Sequence, residues 1–241
     1  MKIFGLRAII EAIESGSTLN KIYLQKGLRG NTFYELDKLI RQKRIATSTV
    51  PVEKLNRLSK NQNHQGAVAF ISPVEFTDLN EVVTRAYENG EKPFVLLLDG
   101  ITDVRNFGAI SRTAEAAGVH ALVIPQRGAA SVNADAVKTS AGALFKIPVC
   151  KVTTIRSAIH DLQQFGIEVY GASEKAADYP YKIDLNKPVG LVMGNEESGL
   201  QDDVIRSCTG LVQIPMNGQI GSLNVSVAAG ILMYEIVRQR L

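Results

Sequence analysis

Cysteine is scarce in this chain, and so is histidine. Only Cys150 and Cys208 occur, and His64, His120 and His160 lie far apart. That spacing matches no metal-ligand pattern. A disulfide between the two cysteines stays open, but two free thiols packed as small hydrophobes are the default for a chain of 241 residues without secretory features. Long apolar runs are missing too. No stretch approaches the roughly 18 uninterrupted apolar residues that a membrane span needs. The opening Met-Lys-Ile-Phe-Gly-Leu-Arg has no apolar segment followed by a small-residue cleavage site. A cytoplasmic location is the resulting expectation. No Gly-x-Gly-x-x-Gly follows a strand, which weakens a nicotinamide-dependent oxidoreductase, and no P-loop supports nucleotide hydrolysis.

Neither sign of charge dominates: 27 Lys and Arg against 24 Asp and Glu leave +3, too little to name a partner. The distribution says more. Residues 1–75 hold 12 Lys and Arg against 6 Asp and Glu, a net of +6; the remainder holds 15 against 18, a net of −3. A basic first third on a mildly acidic body suggests that the first third meets a polyanion, although a solvated lysine-rich face would look the same. With 45% hydrophobic and 21% charged residues the chain composes like a globular protein, long enough for one large domain or two smaller ones.

The first third reads as a small α/β unit. Apolar residues recur at helical spacing over 5–14 and stop at Gly16. A short strand is predicted over 21–24, an amphipathic helix over 32–44 with Leu36, Leu39 and Ile40 on one face, a short helix over 52–58 and an apolar strand over 66–71. Residues 73–93, bracketed by prolines, read as a connection that holds one helix over 79–87. From Phe94 onward short apolar runs (94–98, 121–124, 169–172, 191–193 and 211–214) are separated by helical segments, and a long helix covers 223–241 with Arg238 and Arg240 near its end. Strands alternating with helices predict a parallel sheet covered on both faces.

In such a sheet ligands gather beyond the carboxyl ends of the strands. Three segments occupy that position. The first runs from Asp99 through Asn106 and Gly108 to Arg112, a polar loop entering a helix, where exposed N–H groups and a guanidinium would suit an anion. The second is Gly194-Asn195-Glu196-Glu197-Ser198-Gly199, directly after a strand that reads as fully buried. The third runs from Ile214-Pro215-Met216 through Gly221 to Ser222-Leu223-Asn224-Val225-Ser226. Ser222 has the residue type of a plain helix N-cap, which would leave Asn224 just inside the helix with no capping role.

In this order the three segments resemble the SpoU (TrmH-type) family of RNA ribose 2'-O-methyltransferases, of the SPOUT superfamily. Asn106, Gly108 and Arg112 match its first motif. Leu191–Gly194 with Glu196 match the second, and 214–216 with 222–226 match the third. Phe4-Gly5 and His64-Gln65-Gly66 are similar to the subgroup that methylates a guanosine of the large ribosomal RNA in bacteria. The resemblance implies an α/β fold: a knotted C-terminal SPOUT domain over 94–241 with a parallel sheet and a deep trefoil knot, a linker over 76–93, and an RNA-recognition domain over 1–75 similar to ribosomal protein L30e. It implies S-adenosylmethionine as cofactor, structured RNA (ribosomal RNA first) as substrate, a homodimer, and no metal. Arg112, Asn106, Glu196, Ser222 and Asn224 are then the expected catalytic residues, and Gly194, Ile214 and Leu223 the cofactor contacts. The departure is Glu197, a second acid where a small residue follows in the family; Glu196 is taken as the one facing the site. A transfer-RNA methyltransferase and a non-catalytic RNA-binding protein of the same fold are the competing expectations.

Overall fold

Short β-prone runs that alternate with amphipathic helices build the first unit, which ends at Glu75. The computed structural model describes residues 2–219 and 221–241. Met1 and Ile220, the latter inside the third loop segment, lie outside the described residues. The first unit contains β1 (Lys2–Phe4), α1 (Leu6–Glu14), β2 (Leu19–Gln25), α2 (Asn31–Gln42), β3 (Thr47–Val50), α3 (Val52–Ser59) and β4 (Ala67–Ile71). Its sheet runs β1-β4-β2-β3. The two pairings of β4 are antiparallel, and β2 pairs with β3 in parallel. Period-2 alternation sends Ile22, Leu24, Ala67 and Ala69 to one face, where Ile9, Ile10 and Ile13 of α1 and Leu36 and Ile40 of α2 cover them. Val50 and Val68 point the other way, against Leu55 of α3.

The two short signals near the start of the chain meet in space. The Gly5 N–H donates to the Ala67 carbonyl at 3.1 Å. A Cβ on Gly5 would come within 3.1 Å of the Gln65 side-chain oxygen. His64 is buried: its Nδ1 accepts from the Gly66 N–H at 3.0 Å and its Nε2 lies 2.9 Å from Asn56 Oδ1. The backbone donor at Nδ1 requires the proton on Nε2, which then donates to Asn56. These residues hold a turn together, and Gly66 sits at φ +80° with Leu28 pressed against the place a side chain would occupy.

The second unit runs from Phe76 to the end. It contains β5 (Phe76–Thr77), α4 (Leu79–Glu88), β6 (Phe94–Leu98), α5 (Val104–Ala116), β7 (Ala121–Pro125), α6 (Ala134–Thr139), β8 (Val149–Val152), α7 (Ile155–Gln164), β9 (Glu168–Ala172), β10 (Val189–Met193), α8 (Asp202–Ser207), β11 (Gly210–Val212) and α9 (Val225–Arg240). The predicted parallel sheet is present, in the order β11-β9-β10-β6-β7-β8-β5, and each of its pairings is parallel. The predicted linker is corrected: β5 pairs with β8, and Leu79, Val82 and Val83 of α4 are buried in the core of this unit. Proline and polar turn residues made that stretch look like a connection, yet its helix carries an apolar stripe. β3, β5 and β8, all of four residues or fewer, were too short to read. The strand predicted over 211–214 ends at Val212. Both cysteines are free, and burial raises both thiols, to about 12 for Cys150 and about 11 for Cys208. No helix among the described residues is long and apolar enough to cross a membrane.

Two close approaches aim α5 and α9. A Cβ on Gly108 would stand 2.6 Å from Thr139 Cβ and 3.0 Å from the Ala136 carbonyl, so α5 and α6 meet at a distance only glycine allows. At the other end of the sheet lies Arg240, near the end of the last helix as the sequence reading places it. Its guanidinium donates to the carbonyls of Lys92 at 3.1 Å, Pro93 at 3.4 Å and Lys187 at 2.7 Å, and lies over the Phe94 ring. Burial lowers its pKa, but a guanidinium remains charged. The end of α9 is thereby pinned to the chain just before β6 and β10.

Gly108→Ala should relieve about 0.5–1 kcal/mol of helix-propensity cost. The overpacking against α6 costs about 1–3 kcal/mol, so the net effect is destabilising. Chemical denaturation should show a lower midpoint. An unchanged or higher midpoint would mean that α6 yields and that the close packing is not a constraint.

Candidate functional site

The order of the large sheet reverses between β6 and β10. From β6 the chain builds β7 and β8 outward on one side; it returns to place β9 and β10 on the other. Loops leaving the carboxyl ends of β6 and β10 therefore diverge next to each other and leave a crevice. The first two predicted loop segments are these two loops.

Asparagine ties them together. Asn195 Nδ2 donates to the Gly100 carbonyl at 2.8 Å, and its Oδ1 accepts from the N–H of Glu197 at 2.8 Å. Asn195 and Gly199 exchange both backbone hydrogen bonds, at 3.0 and 2.9 Å, closing the loop on itself. A Cβ on Gly194 would stand 2.4 Å from the Gly199 carbonyl carbon. Gly194 is thus required first by this loop's own backbone. Asn195 has no role in the sequence reading; the bond it donates to Gly100, 95 positions away, leaves no local pattern.

Asp99, at the end of β6, is buried and accepts from the Gln201 N–H at 3.3 Å. Burial raises its carboxyl pKa; the Gln201 N–H opposes that and Asp203 reinforces it. The loop carrying Glu196 is therefore anchored to β6 at both of its ends.

Glu196 joins all three predicted segments. Its Oε1 accepts from Asn106 Nδ2 at 2.8 Å, from Asn224 Nδ2 at 2.9 Å and from the Val225 N–H at 3.3 Å. Asn224 Nδ2 also donates to Asn106 Oδ1 at 3.1 Å. Asn106 lies in the first turn of α5, capped by Asp103, and Val225 opens α9. A carboxylate at the start of two helices is favoured by their dipoles. Glu196 Oε2 accepts no hydrogen bond among the described residues, so one oxygen is left for a ligand. Asn224 corrects the expected cap: it is the N-cap of α9, its Oδ1 accepting from the Ser226 N–H at 3.0 Å, and Ser222 is not. One amide thus serves the helix with its oxygen and Glu196 with its nitrogen.

A cleft of about 450 Å³ opens beyond the ends of β9, β10 and β11. Among its lining residues are Gly194, Glu196, Ile214, Ser222 and Leu223, so the second and third predicted segments contribute to it. A smaller polar pocket of about 170 Å³ lies beside it, lined by Asp103, Asn106, Glu196 and Val225 among others. Glu196 borders both. Glu197 lines both as well, but its carboxylate bonds to neither Asn106 nor Asn224 among the described residues. Arg112 is the predicted residue that the fold brings neither to these cavities nor to the Glu196 cluster. It is exposed, lines neither cavity, and has no hydrogen bond or ion pair among the described residues.

Two outcomes are expected. Glu196→Ala should leave Asn106 Nδ2, Asn224 Nδ2 and the Val225 N–H without their shared acceptor, and amide exchange at Val225 should speed up; unchanged protection would show that the cluster does not hold the start of α9. Asp99 has the opposite sign to a salt-bridged carboxylate. Its folded-state pKa is raised, so the folded chain binds the proton more tightly and stability falls as pH climbs from the ordinary carboxylate pKa through the raised one. Asp99→Asn keeps an acceptor oxygen and cannot ionise. At neutral pH it should resist denaturant better than the parent, with the gap closing in acid; a parent that is the more stable at neutral pH would contradict this.

The geometry sits in a known family. The SpoU rRNA Methylase family matches residues 93–234, and the RNA 2'-O ribose methyltransferase substrate-binding family matches residues 2–77. The 23S rRNA (guanosine-2'-O-)-methyltransferase RlmB of Xanthomonas axonopodis pv. citri is 38% identical over 240 residues, covering 99% of this chain and 96% of that one. YacO of Bacillus subtilis, provisionally named a TrmH family tRNA/rRNA methyltransferase, is 36% identical over 238 residues, covering 99% and 95%. The SpoU methyltransferase AviRb from Streptomyces viridochromogenes, crystallised in complex with AdoMet, superposes with a TM-score of 0.63 at 27% identity, covering all of this chain and 90% of that one. The loops clamped by Glu196 therefore belong to an RNA methyltransferase, and the chain is a member of the SpoU methylase family.

Proposed function

We propose that the chain methylates a ribose 2'-hydroxyl of ribosomal RNA in the cytoplasm, at a guanosine of the large-subunit RNA. The observation that carries the site assignment is Glu196, standing between a cofactor-sized cleft and a smaller polar pocket and held there by Asn106 and Asn224. The RlmB relatives, named for that nucleoside, support the substrate.

S-adenosylmethionine fits the larger cleft. About 450 Å³ is within the range of small-molecule sites. Gly194 offers backbone polar groups, while Met193, Ile214, Leu223 and Leu232 offer apolar surface for a planar ring. Bound there, S-adenosylmethionine supplies a methyl carbon made electrophilic by its sulfonium. The protein's task is to hold the ribose hydroxyl in line and favour loss of its proton. Glu196, with Oε2 still open, and Asn106 position the substrate strand; Ser222 and Asn224 shape the floor.

Arg112 meets the developing alkoxide. A guanidinium keeps its proton near neutrality, so Arg112 stabilises negative charge and the proton passes to water or an RNA phosphate oxygen. Because Arg112 lines neither cavity of its own chain, it serves the site of a second copy. Val227, Ile231 and Tyr234, spaced four and three residues apart along α9, leave an exposed apolar stripe for that pairing. Residues 1–75 act as an L30e-like RNA-recognition domain, and the chain through the second and third motifs forms the trefoil knot of SPOUT proteins.

Labelled S-adenosylmethionine mixed with unmodified ribosomal and transfer RNAs should mark one ribose in the large ribosomal RNA; a label in transfer RNA alone moves the substrate, and no label refutes the activity. Arg112→Ala should lower turnover by about 10²-fold or more while calorimetry shows unchanged cofactor binding. Mixing Arg112→Ala with Glu196→Ala subunits should recover activity, since each pair then holds one intact site. Failure to recover would place Arg112 in its own chain's site.

A further inference from the structure

The sheet of the first unit has one face covered by α1 and α2; on the other, the apolar cluster contains a single helix, α3. Strand register arranges that second face in two rows. Lys2 of β1 and Lys21 of β2 stand opposite Phe70 of β4, one on each side. In the next row Phe4 and Tyr23 flank Val68. The Tyr23 and Phe70 rings meet edge to face at 5.8 Å. Lys2 Nζ lies 5.3 Å from the Phe70 ring centre, and Lys21 and Lys54 of α3 lie 5.2 and 5.6 Å from that of Tyr23. Both rings are half-buried, and Lys2 and Lys54 are exposed.

This is an unusual way to finish a sheet. Three ammonium groups gather around two rings, and neither row contains an acid. Like charges on one small face repel, a cost that a polyanion removes. The rings offer π-surface to a partner that also brings phosphates. RNA with unpaired bases has both properties, whereas a duplex keeps its bases stacked inside. Charge complementarity points the same way, because residues 1–75 carry a net +6.

We infer that this face is a stacking platform for unpaired RNA: a base lies against Phe70 and Tyr23, while Lys2, Lys21 and Lys54 hold the neighbouring phosphates. The inference rests on the reading that the chain acts on RNA. It places recognition of an unpaired segment on named residues remote in sequence from the methyl-transfer loops.

The test uses the full chain, a fluorescein-labelled single-stranded oligoribonucleotide of about 12 nucleotides, and a hairpin-free duplex of the same sequence, read by anisotropy over a salt series. Phe70→Leu keeps an apolar filler and removes the ring; it should weaken single-strand binding about tenfold with an unchanged salt slope and leave duplex binding alone. Replacing Lys2 and Lys21 together by Gln removes two phosphate contacts and should flatten the slope of log K against log salt by about 1.4. This pair leaves the apolar cluster intact, so it reads even if Phe70→Leu fails to fold. Unchanged binding in the lysine pair, equal losses on single strand and duplex, or a parent chain that does not bind the oligonucleotide each overturns the platform. So does a drop in mass by light scattering with an unaltered salt slope, which would mean that a second copy covers the face. Methyl transfer by the parent to ribosomal RNA is measured alongside. Transfer without any effect of the variants on binding sinks only the platform; absence of transfer sinks the proposed function.

Discussion

The pairing of β6 with β10 is the constraint on which the site depends. Five consecutive residues, Phe94–Leu98, face Val189–Met193 in parallel register at the centre of the sheet. All ten are buried. Parallel strands cannot be joined by a tight turn, so the pairing closes a loop of about ninety residues before it returns any stabilisation. Once made, it sets Asp99 beside Gly194. The Asp99 N–H donates to the Met193 carbonyl, Asn195 reaches Gly100, and Gln201 reaches the Asp99 carboxylate. A one-residue slip would reverse the faces of β10 and carry Glu196 away from Asn106.

α9 completes what that pairing begins. Its first residues meet Glu196 beyond the carboxyl ends of the strands, and Arg240 near its last turn holds carbonyls before their amino ends. The helix is held at both ends by polar contacts to the same two strands. Its flank can then remain apolar and exposed, at Val227, Ile231 and Tyr234, without the helix losing its place. The acidic side chain at the centre of the site is satisfied by amides rather than by a cation. Three N–H donors converge on Glu196 Oε1 and fix the place of the carboxylate.

The two units present different kinds of surface. The second unit offers a concave cleft with backbone donors and a few polar groups, the form small-molecule sites take. The first offers cations and half-buried rings on a sheet face that α3 partly covers, suited to a flexible, charged polymer. The basic excess of residues 1–75, which says little as a number, acquires meaning once Lys2, Lys21 and Lys54 are found around one aromatic pair.

By itself the sequence determined the α/β class with its parallel sheet and pointed to side chains that the fold brings together. Buried runs such as Phe94–Leu98 and amphipathic stretches such as Asn31–Gln42 carry their periodicity locally, and motif spacing singled out Asn106, Glu196 and Asn224. Short strands escaped notice because four residues or fewer hold at most two alternations, and the supposed linker concealed β5 and the burial of its predicted helix, α4. Tertiary structure alone decided which acid is clamped, that Asn224 rather than Ser222 caps α9, that Gly194 answers first to the Gly199 backbone, and that Arg112 stands apart from its own chain's cleft. Each of these depends on a contact between groups remote in the chain, and local pattern carries no record of partners that meet only after the sheet has formed.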